Sequence, residues 1–434
     1  MKRLRSNIIW MVVVLLVAWG SFSLGENCAR KAEPQPIPSA VPGTEESGDT
    51  TQGESSASTT AEESEGERDQ RIMNMIRYLS KALKENYLFG IDDQQMEIGL
   101  YKGLFEATKD PYTVFYTGEE FSRLMEDTAG EFAGIGVVVT GGTDGLITVV
   151  SPIADTPGAR AGILAGDKVL AVDGVNYTAQ EMDAAVTHMR GEVGAPVTLT
   201  IQRTEGENVQ TLDISIVREI IHVESVHSQM LEDAVGYLQI TSFDEPTAQA
   251  FQAHFEDLKA QGAKSVIIDL RNNPGGLLTA CDEIADYLLG DATIVTTVSK
   301  NGEKEVVSSD AEQETLPVVL LVNGGSASAS EILTGALRDN QRAIAIGTKT
   351  YGKGIVQRLF PLFAEPKDGG YKITVAEYLT PSGAHIHEKG IEPDIVVELP
   401  EGIQGIGVEH REEDTQLQRA IEEAKKVQAE TPEK

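Results

Sequence analysis

The chain has 434 residues, with 36 Lys and Arg against 68 Asp and Glu and a formal net charge of −32. Its length allows two or three domains. Nucleic acid is excluded as the expected partner, because phosphate binding needs a basic surface that this composition does not supply. The two cysteines, Cys28 and Cys281, cannot form a disulfide framework or a zinc ribbon. We expect no cofactor and no metal.

Residues 1–30 predict a membrane anchor or a signal segment. Lys2, Arg3 and Arg5 precede an uncharged stretch at residues 8–24, which is close to the minimum of about 17 residues for a spanning helix. Basic residues before the span favour a cytoplasmic N-terminus, so the rest of the chain would lie outside the cytoplasm in a single-pass cell-membrane protein. The alternative is cleavage at the small-x-small pattern of residues 21–23 and secretion.

Residues 31–67 are rich in Pro, Ser, Thr, Gly and Glu and predict a disordered acidic linker. A helical N-terminal region follows at residues 68–128, with one helix over 68–87 and another over 96–108. The first helix has an apolar face formed by Ile72, Ile76, Leu79 and Leu83.

A C-terminal helical arm and tail are predicted over residues 401–434. Leu417, Ile421 and Ala424 repeat there at helical spacing. Neither this face nor the N-terminal one has an assigned partner inside the domains. Both ends together therefore predict a homodimer. The alternative for the N-terminal helices is packing within the chain.

Residues 129–220 contain short strands separated by turns. The stretch GEFAGIGVVVTGG is not a dinucleotide loop, because Val139 replaces the third glycine. Its glycines resemble the carboxylate-binding loop of a PDZ domain, and PGARAGILAGDKVLAVDG at 157–174 resembles the PDZ core segment. The resemblance implies an inserted β-rich PDZ domain with a groove helix over 180–190, whose loop binds a C-terminal carboxylate through Gly134, Ile135, Gly136 and Val137. The alternative is a small β-rich spacer.

Strands and helices alternate over residues 221–400. Apolar patterning predicts strands at 235–240, 265–270, 318–322 and 343–346, with helices at 246–261, 277–289 and 331–338. This order is typical of a mainly parallel α/β layer. The segments DLRNNPGG, NGGSASASE and GTKTYGKGIVQ follow three of the strands. Since reactive groups gather at the carboxyl ends of parallel strands, we expect these loops to converge.

Ser328 lies where a buried strand turns into a helix. Ser328 and Glu331 fit the S-x-x-E capping box, which is the commoner role of such a serine. The alternative is a nucleophile, because a helix N-terminus offers free N–H groups to a developing oxyanion. The nucleophile elbow G-x-S-x-G is absent, so the sequence requires a base of another kind.

Lys353 is the candidate base. None of the seven histidines falls in the three loops, and His385 and His387 are interpreted as a surface pair rather than metal ligands. A neutral lysine can act as a base if burial or nearby cations bring its pKa from about 10.4 to roughly 7–8. The alternative is an exposed lysine in a flexible loop.

Three motifs together resemble the carboxyl-terminal processing proteases, also called tail-specific proteases. They are NGGSASASEI, GTKTYGKGIVQ and YLTPSGAHIHEKGIEPD. The resemblance implies a crotonase-like protease core that cleaves protein or peptide substrates near free C-termini. It implies that Ser328 is the nucleophile, Lys353 the general base and Gln357 the residue that orients the lysine. The oxyanion hole would combine the N–H of Ala329 with that of Gly275 or Gly276.

Ser326 and Ser330 are then loop or cap residues. A neutral amide at Gln357 suits the proposed base, because a carboxylate there would raise the lysine pKa. The competing hypothesis is a membrane-anchored PDZ scaffold with a silent protease layer. Covalent labelling by a serine-reactive probe would distinguish an enzyme from such a scaffold.

Overall fold

The computed structural model describes residues 64–142, 144–206, 208–362 and 368–430. The predicted span at 8–24 and nearly all of the predicted linker lie outside these ranges. Within them, no helix has the length and apolar character needed to cross a membrane. The chain divides into two compact units, with the boundary between Lys109 and Asp110.

The first unit contains two helices, α1 (Glu65–Asn86) and α2 (Asp93–Glu106). Helix α1 begins after a Ser64–Glu67 capping box, so residues 65–67 are helical and do not belong to the predicted linker. Neither helix contains a buried residue. Ile72, Leu79 and Leu83 are 44%, 51% and 45% exposed, which leaves the predicted apolar face on the surface.

The second unit opens with β1 (Val114–Tyr116) and α3 (Gly118–Ala129). Thr117 caps the start of α3, and Gly130 ends it in the left-handed region with φ 68°. A two-stranded ribbon of β2 (Glu131–Gly134) and β9 (Glu219–His222) then leads into and out of the next domain. The ribbon brings the two ends of the predicted PDZ segment together.

The PDZ segment forms an antiparallel sheet in the order β3-β4-β5-β7-β8, with β6 paired to β5. Alternating side chains such as Ile147, Val169 and Leu199 fill its core. Helix α5 includes most of the predicted groove helix. The elements are β3 (Val137–Gly141), β4 (Ile147–Pro152), α4 (Pro157–Arg160), β5 (Lys168–Val172), β6 (Val175–Asn176), α5 (Met182–Met189), β7 (Pro196–Glu205) and β8 (Asn208–Val217).

A largely parallel sheet forms the α/β layer predicted for residues 221–400, in the order β10-β11-β12-β15-β16-β19. Only β10 pairs antiparallel to its neighbour. The strands are β10 (Val226–Met230), β11 (Val235–Ile240), β12 (Ser265–Asp269), β15 (Val318–Val322), β16 (Ala343–Gly347) and β19 (Ile395–Val396). Every residue of β12 and β15 is buried, which explains the unbroken apolar sequence of β15 and the apolar centre of β12.

Helices cover both faces of this sheet. One face packs against α6 (Thr247–Ala260), α7 (Leu278–Leu288) and α8 (Ala329–Asp339). The other packs against the C-terminal helix α9 (Thr415–Glu430). A second sheet has the order β1-β18-β13-β14, with β17 beside β18, and its strands are β13 (Thr293–Ser299), β14 (Lys304–Ser308), β17 (Ile355–Pro361) and β18 (Gly370–Leu379).

The C-terminal helix is not a free arm. Leu417, Ile421 and Ala424 are at most 5% exposed, and they pack against apolar side chains of the sheet, including Ile267 and Val319. Their helical repeat is explained by this intramolecular contact. The prediction that this face contributes to a dimer is therefore wrong.

Candidate active site

The three loops predicted to converge do meet at the carboxyl ends of β12, β15 and β16. The side-chain amides of Asn272 and Asn323 join the first two loops through a 2.9 Å hydrogen bond, and the Asn272 N–H donates to Asn323 Oδ1 at 2.9 Å. The Tyr351 N–H, in the third loop, donates to the Ser326 carbonyl at 3.0 Å. These contacts fix the loops that carry the predicted catalytic residues.

The three alternating serines have different environments. Ser326 Oγ donates to the Leu270 carbonyl at 2.8 Å, and Ser330 Oγ donates to the Asn273 carbonyl at 2.9 Å. Both side chains are buried and hold the first loop against the second. This agrees with their interpretation as structural neighbours of Ser328.

Ser328 is the cap of α8 and has a strained backbone. Its φ of 55° and ψ of −115° lie in a region that non-glycine residues rarely occupy. Such strain costs on the order of 1–3 kcal/mol and is concentrated at functional sites. The strained strand-to-helix turn of a nucleophile elbow is thus present here without the G-x-S-x-G sequence.

Burial makes Lys353 a weaker base than an ordinary lysine, and less often protonated. It lowers the pKa of Lys353 to about 8; the positive charge of Lys372 acts in the same direction, and the carboxylates of Glu331 and Asp110 oppose it. A substantial fraction of such lysine is neutral near pH 8, as a general base requires. The alternative of a fully solvated lysine does not fit this environment.

The Lys353 ammonium lies over the aromatic ring of Tyr112, with Nζ 4.8 Å from the ring centroid. Within the described residues, Nζ makes no hydrogen bond to Ser328 or Gln357. Gln357 Nε2 instead donates to the Ile355 carbonyl at 3.2 Å. The structure therefore places Ser328 and Lys353 on adjoining loops, but it does not bring the Gln357 amide to the lysine amine.

Glu331 connects the serine and lysine loops. Its buried carboxylate accepts hydrogen bonds from the N–H groups of Ser328 at 3.0 Å, Gly352 at 2.7 Å and Lys353 at 2.8 Å. Thr350 Oγ1 donates to it at 2.6 Å. Burial raises the pKa of Glu331, whereas these hydrogen bonds favour its ionised form. Half of the capping box predicted from S-x-x-E is present, because the Glu331 carboxylate accepts the Ser328 N–H while the Ser328 side chain makes no cap hydrogen bond. The same glutamate also holds the lysine loop.

The candidate oxyanion hole is formed where α8 meets the NPGG loop. Ala329 is the first residue of α8, so its N–H has no acceptor within the helix. A Cβ placed on Gly275 would lie 2.8 Å from Ser328 Cβ and 2.9 Å from the Ala329 nitrogen. The Gly275 N–H donates to Asn273 Oδ1 at 2.8 Å. No acceptor is present for the Gly276 N–H within the described residues.

The glycine loop predicted to bind a carboxylate lies between β2 and β3. The carbonyls of Ile135 and Gly136 accept hydrogen bonds from the Gly158 N–H at 2.7 Å and the Thr156 hydroxyl at 2.9 Å. Their own N–H groups have no acceptor in the part of the chain that is described. Gly136 has φ 68°, and a Cβ there would meet Thr156 Cβ at 2.3 Å. The loop is thus fixed by its carbonyls with its amides left available.

Two sequence matches cover the domains. Peptidase family S41 matches residues 234–397, and a PDZ domain matches residues 148–203. The carboxy-terminal-processing protease of Bartonella bacilliformis is 40% identical over 76% of this chain and 76% of that protein. The carboxy-terminal processing protease CtpA of Bacillus subtilis is 38% identical over 74% and 69%.

The chain belongs to the carboxyl-terminal processing protease family. It is a serine peptidase and hence a hydrolase. A solved photosystem II D1 C-terminal processing protease shares 26% identity with this processing protease, with a TM-score of 0.45 over 77% of this chain and 95% of that chain. The S41 match includes the three active-site loops, whereas the PDZ match begins after the glycine loop at 134–137.

Several residues of this processing protease were not identified as site residues from sequence. Tyr112 precedes β1 and contacts Lys353, although 241 positions separate them. Arg190 follows the groove helix, and its guanidinium stacks 4.4 Å from the Phe132 ring centroid, beside the glycine loop. Glu331 was not identified as a site residue either, but it had a sequence signal, because its capping-box spacing placed it next to Ser328.

Proposed function

We propose that this protein is a Ser/Lys endopeptidase that cleaves protein substrates near their C-termini. The observation that carries the proposal is the strained backbone of Ser328 at a helix N-terminus, joined through buried Glu331 to the loop of a lysine with a lowered pKa. A lysine that is simply solvated at the surface would be neither buried nor connected to the serine loop through Glu331. The parallel sheet with helices on both faces supports the crotonase-like class for the core.

In the proposed reaction, neutral Lys353 takes the proton from Ser328 Oγ as the oxygen bonds to the scissile carbonyl carbon. The N–H groups of Ala329 and Gly276 donate to the oxyanion, because the Gly275 N–H is already bonded to Asn273. The tetrahedral intermediate then collapses, the C–N bond breaks, and protonated Lys353 returns the proton to the leaving amine. Water hydrolyses the acyl-enzyme with the same lysine as base.

Lys353 has to leave the Tyr112 ring before it can act. A cation–π contact favours the protonated amine and contributes roughly 0.5–2 kcal/mol. Rotation of the side chain towards Ser328 is accessible at that cost. Gln357 would then hydrogen-bond the amine only after its own side chain leaves the Ile355 carbonyl.

We also propose that the PDZ domain binds the substrate's terminal carboxylate at Gly134–Val137. The unbonded N–H groups of Ile135 and Gly136 support this, and Arg190 provides a positive charge at the same end of the domain. Glu126 and Asp127 lie 3.9 and 3.8 Å from the Arg190 guanidinium. A bound carboxylate would compete with them for it. Apolar terminal side chains are the ones that the family resemblance favours.

The experiment compares one apolar-ended peptide as the free acid and as the amide. Charge-assisted hydrogen bonds contribute roughly 1.5–3 kcal/mol, so amidation should weaken PDZ binding by about ten- to a hundredfold. Gly136→Ala should also weaken binding of the acid, because its Cβ would overlap Thr156. Gly145→Ala is the matched control, since Gly145 also has positive φ but has open space around its Cα.

Cleavage of the acid should disappear in Ser328→Ala, while its PDZ binding remains. If Ser328→Ala still cleaves, the proposed chemistry is wrong. If the wild type binds the acid but never cleaves a protein, the scaffold hypothesis is the better one. Equal binding of acid and amide would remove carboxylate recognition from the proposal without affecting catalysis.

We place the catalytic region outside the cytoplasm, either anchored by residues 8–24 or secreted after cleavage. The support is the basic N-terminus followed by an uncharged apolar stretch. We further propose a homodimer through the N-terminal helices alone. Its support is the exposed apolar face of α1, since the C-terminal helix is used within the fold.

A further inference from the structure

Tyr378 lies near the end of β18, in the motif YLTPSG, and is only 1% exposed. Its ring packs in the core beneath the parallel sheet. Its hydroxyl approaches two backbone carbonyls, that of Ser328 at 3.1 Å and that of Lys353 at 2.5 Å. One buried hydroxyl therefore bridges the main chains of the proposed nucleophile and the proposed base.

The two carbonyls depend on this hydroxyl to different degrees. The Ser328 carbonyl also accepts the N–H groups of Glu331 and Ile332, at 2.8 and 2.9 Å. Among the described residues, only Tyr378 donates a hydrogen bond to the Lys353 carbonyl. The hydroxyl thus holds the lysine peptide against a serine peptide that the helix already fixes.

Tyr378 and Glu331 bind the same two residues through different backbone groups. The Glu331 carboxylate accepts the N–H groups of Ser328 and Lys353. The single hydroxyl proton of Tyr378 is shared between the carbonyls of the same two residues, with the shorter contact to Lys353. The Tyr378 N–H donates to the Gly354 carbonyl at 3.0 Å. The N–H and the carbonyl of Lys353 are therefore both bonded, although its side chain is turned towards Tyr112.

We propose that Tyr378 is a positioning residue, whose hydroxyl fixes the Lys353 backbone at the separation from Ser328 that proton transfer requires. This inference rests on the proposed Ser/Lys chemistry. The hydroxyl of Tyr378 hydrogen-bonds the backbones of the two residues, so its effect should fall on the chemical step and not on substrate binding. Without the hydroxyl, the Lys353 peptide loses its carbonyl partner and the approach of Nζ to Oγ becomes less well defined.

The test is Tyr378→Phe, which removes one oxygen and keeps the ring. Tyr287→Phe is the matched control, because it removes a hydroxyl of a partly buried ring that is bonded to Glu256 of α6 at 2.7 Å. Fluorescein-labelled casein gives kcat and KM, and a fluorophosphonate probe gives the rate and the final extent of serine labelling. Misplacement of a catalytic group by about 1 Å can cost roughly a hundredfold in rate. We expect kcat of Tyr378→Phe to fall about ten- to a hundredfold with KM within about twofold, and Tyr287→Phe to match the wild type.

Labelling separates positioning from unfolding. Positioning predicts that Tyr378→Phe reaches the full extent of fluorophosphonate labelling at a lower rate. A reduced extent with the wild-type rate would show a partly unfolded enzyme and overturn the inference. The inference would also be overturned if kcat of Tyr378→Phe stayed within twofold of the wild type while Ser328→Ala was inactive. That result would leave the proposed function intact. Activity in Ser328→Ala would instead refute the proposed function itself.

Discussion

Replacing Lys353 with Met should abolish turnover and stabilise the fold at neutral pH. Burial lowers the lysine pKa from an ordinary 10.5 to about 8. At about 1.36 kcal/mol per pKa unit, this difference corresponds to at most about 3 kcal/mol of folding free energy. The unbranched Met side chain fills similar space and carries no charge, so it removes the cost of burying a protonated amine.

The sign of the pH dependence follows from proton binding. Between pH 8 and 10.5 the unfolded chain binds more protons at this residue than the folded chain, so wild-type stability rises with pH across that interval. The penalty is complete below about pH 8 and disappears above about pH 10.5. The advantage of Lys353→Met should therefore be largest at pH 6–7 and should shrink by about 3 kcal/mol by pH 10.5.

Urea denaturation from pH 6 to 10.5 measures this difference. Both variants should carry Ser328→Ala, which prevents self-cleavage during the measurement. The difference between the two unfolding free energies cancels the titration of groups that they share. A difference that stays constant over the whole interval would show that Lys353 is solvated, and the assignment of the base would fail.

The kcat/KM for labelled casein should rise with pH through about 8, because only neutral Lys353 accepts the proton, and a flat profile from pH 6 to 10 would contradict this. Glu331→Gln should lower the melting temperature and nearly abolish labelling of Ser328 by a fluorophosphonate. The new NH2 group would face the N–H donors of Ser328 and Lys353, and each buried donor left without an acceptor costs about 1–3 kcal/mol. Leu79→Asp should convert a dimer into a monomer in light scattering, whereas the same mass for both proteins would argue against an interface through α1.

The core of the fold could be predicted from sequence because its strands are buried on both faces. The predicted strands at 235–240 and 318–322 coincide with β11 and β15. Continuous apolar runs between turn signals leave little freedom in where such strands begin and end. The convergence of the three loops then followed from parallel topology alone, and the contacts between Asn272, Asn323 and Tyr351 confirm it.

The C-terminal helix shows what periodicity leaves open. Leu417, Ile421 and Ala424 define an apolar face, but the pattern does not say whether another chain or the same chain covers it. In the structure, the sheet covers this face. Asp414, just before α9, also binds the fully buried Arg271 at 2.9 Å, which anchors the helix beside the NPGG loop.

The details of the site depend on contacts between residues far apart in sequence. The strain at Ser328, the Tyr112 ring under Lys353 and the Tyr378 bridge have no local sequence pattern. The position of Gln357 could not be derived either, because a residue four positions from Lys353 can face the amine or turn to its own backbone. Family resemblance identifies such residues, and only geometry shows what each one contacts.

The most direct test of Ser/Lys catalysis is to map the site of fluorophosphonate labelling by mass spectrometry in the wild type and in Lys353→Met. Our account predicts one adduct, on Ser328 in the wild type, with labelling at least a hundredfold slower in Lys353→Met. A roughly hundredfold effect of this kind is within the range of a general base. An adduct on a different serine, or equal labelling rates in the two proteins, would contradict it.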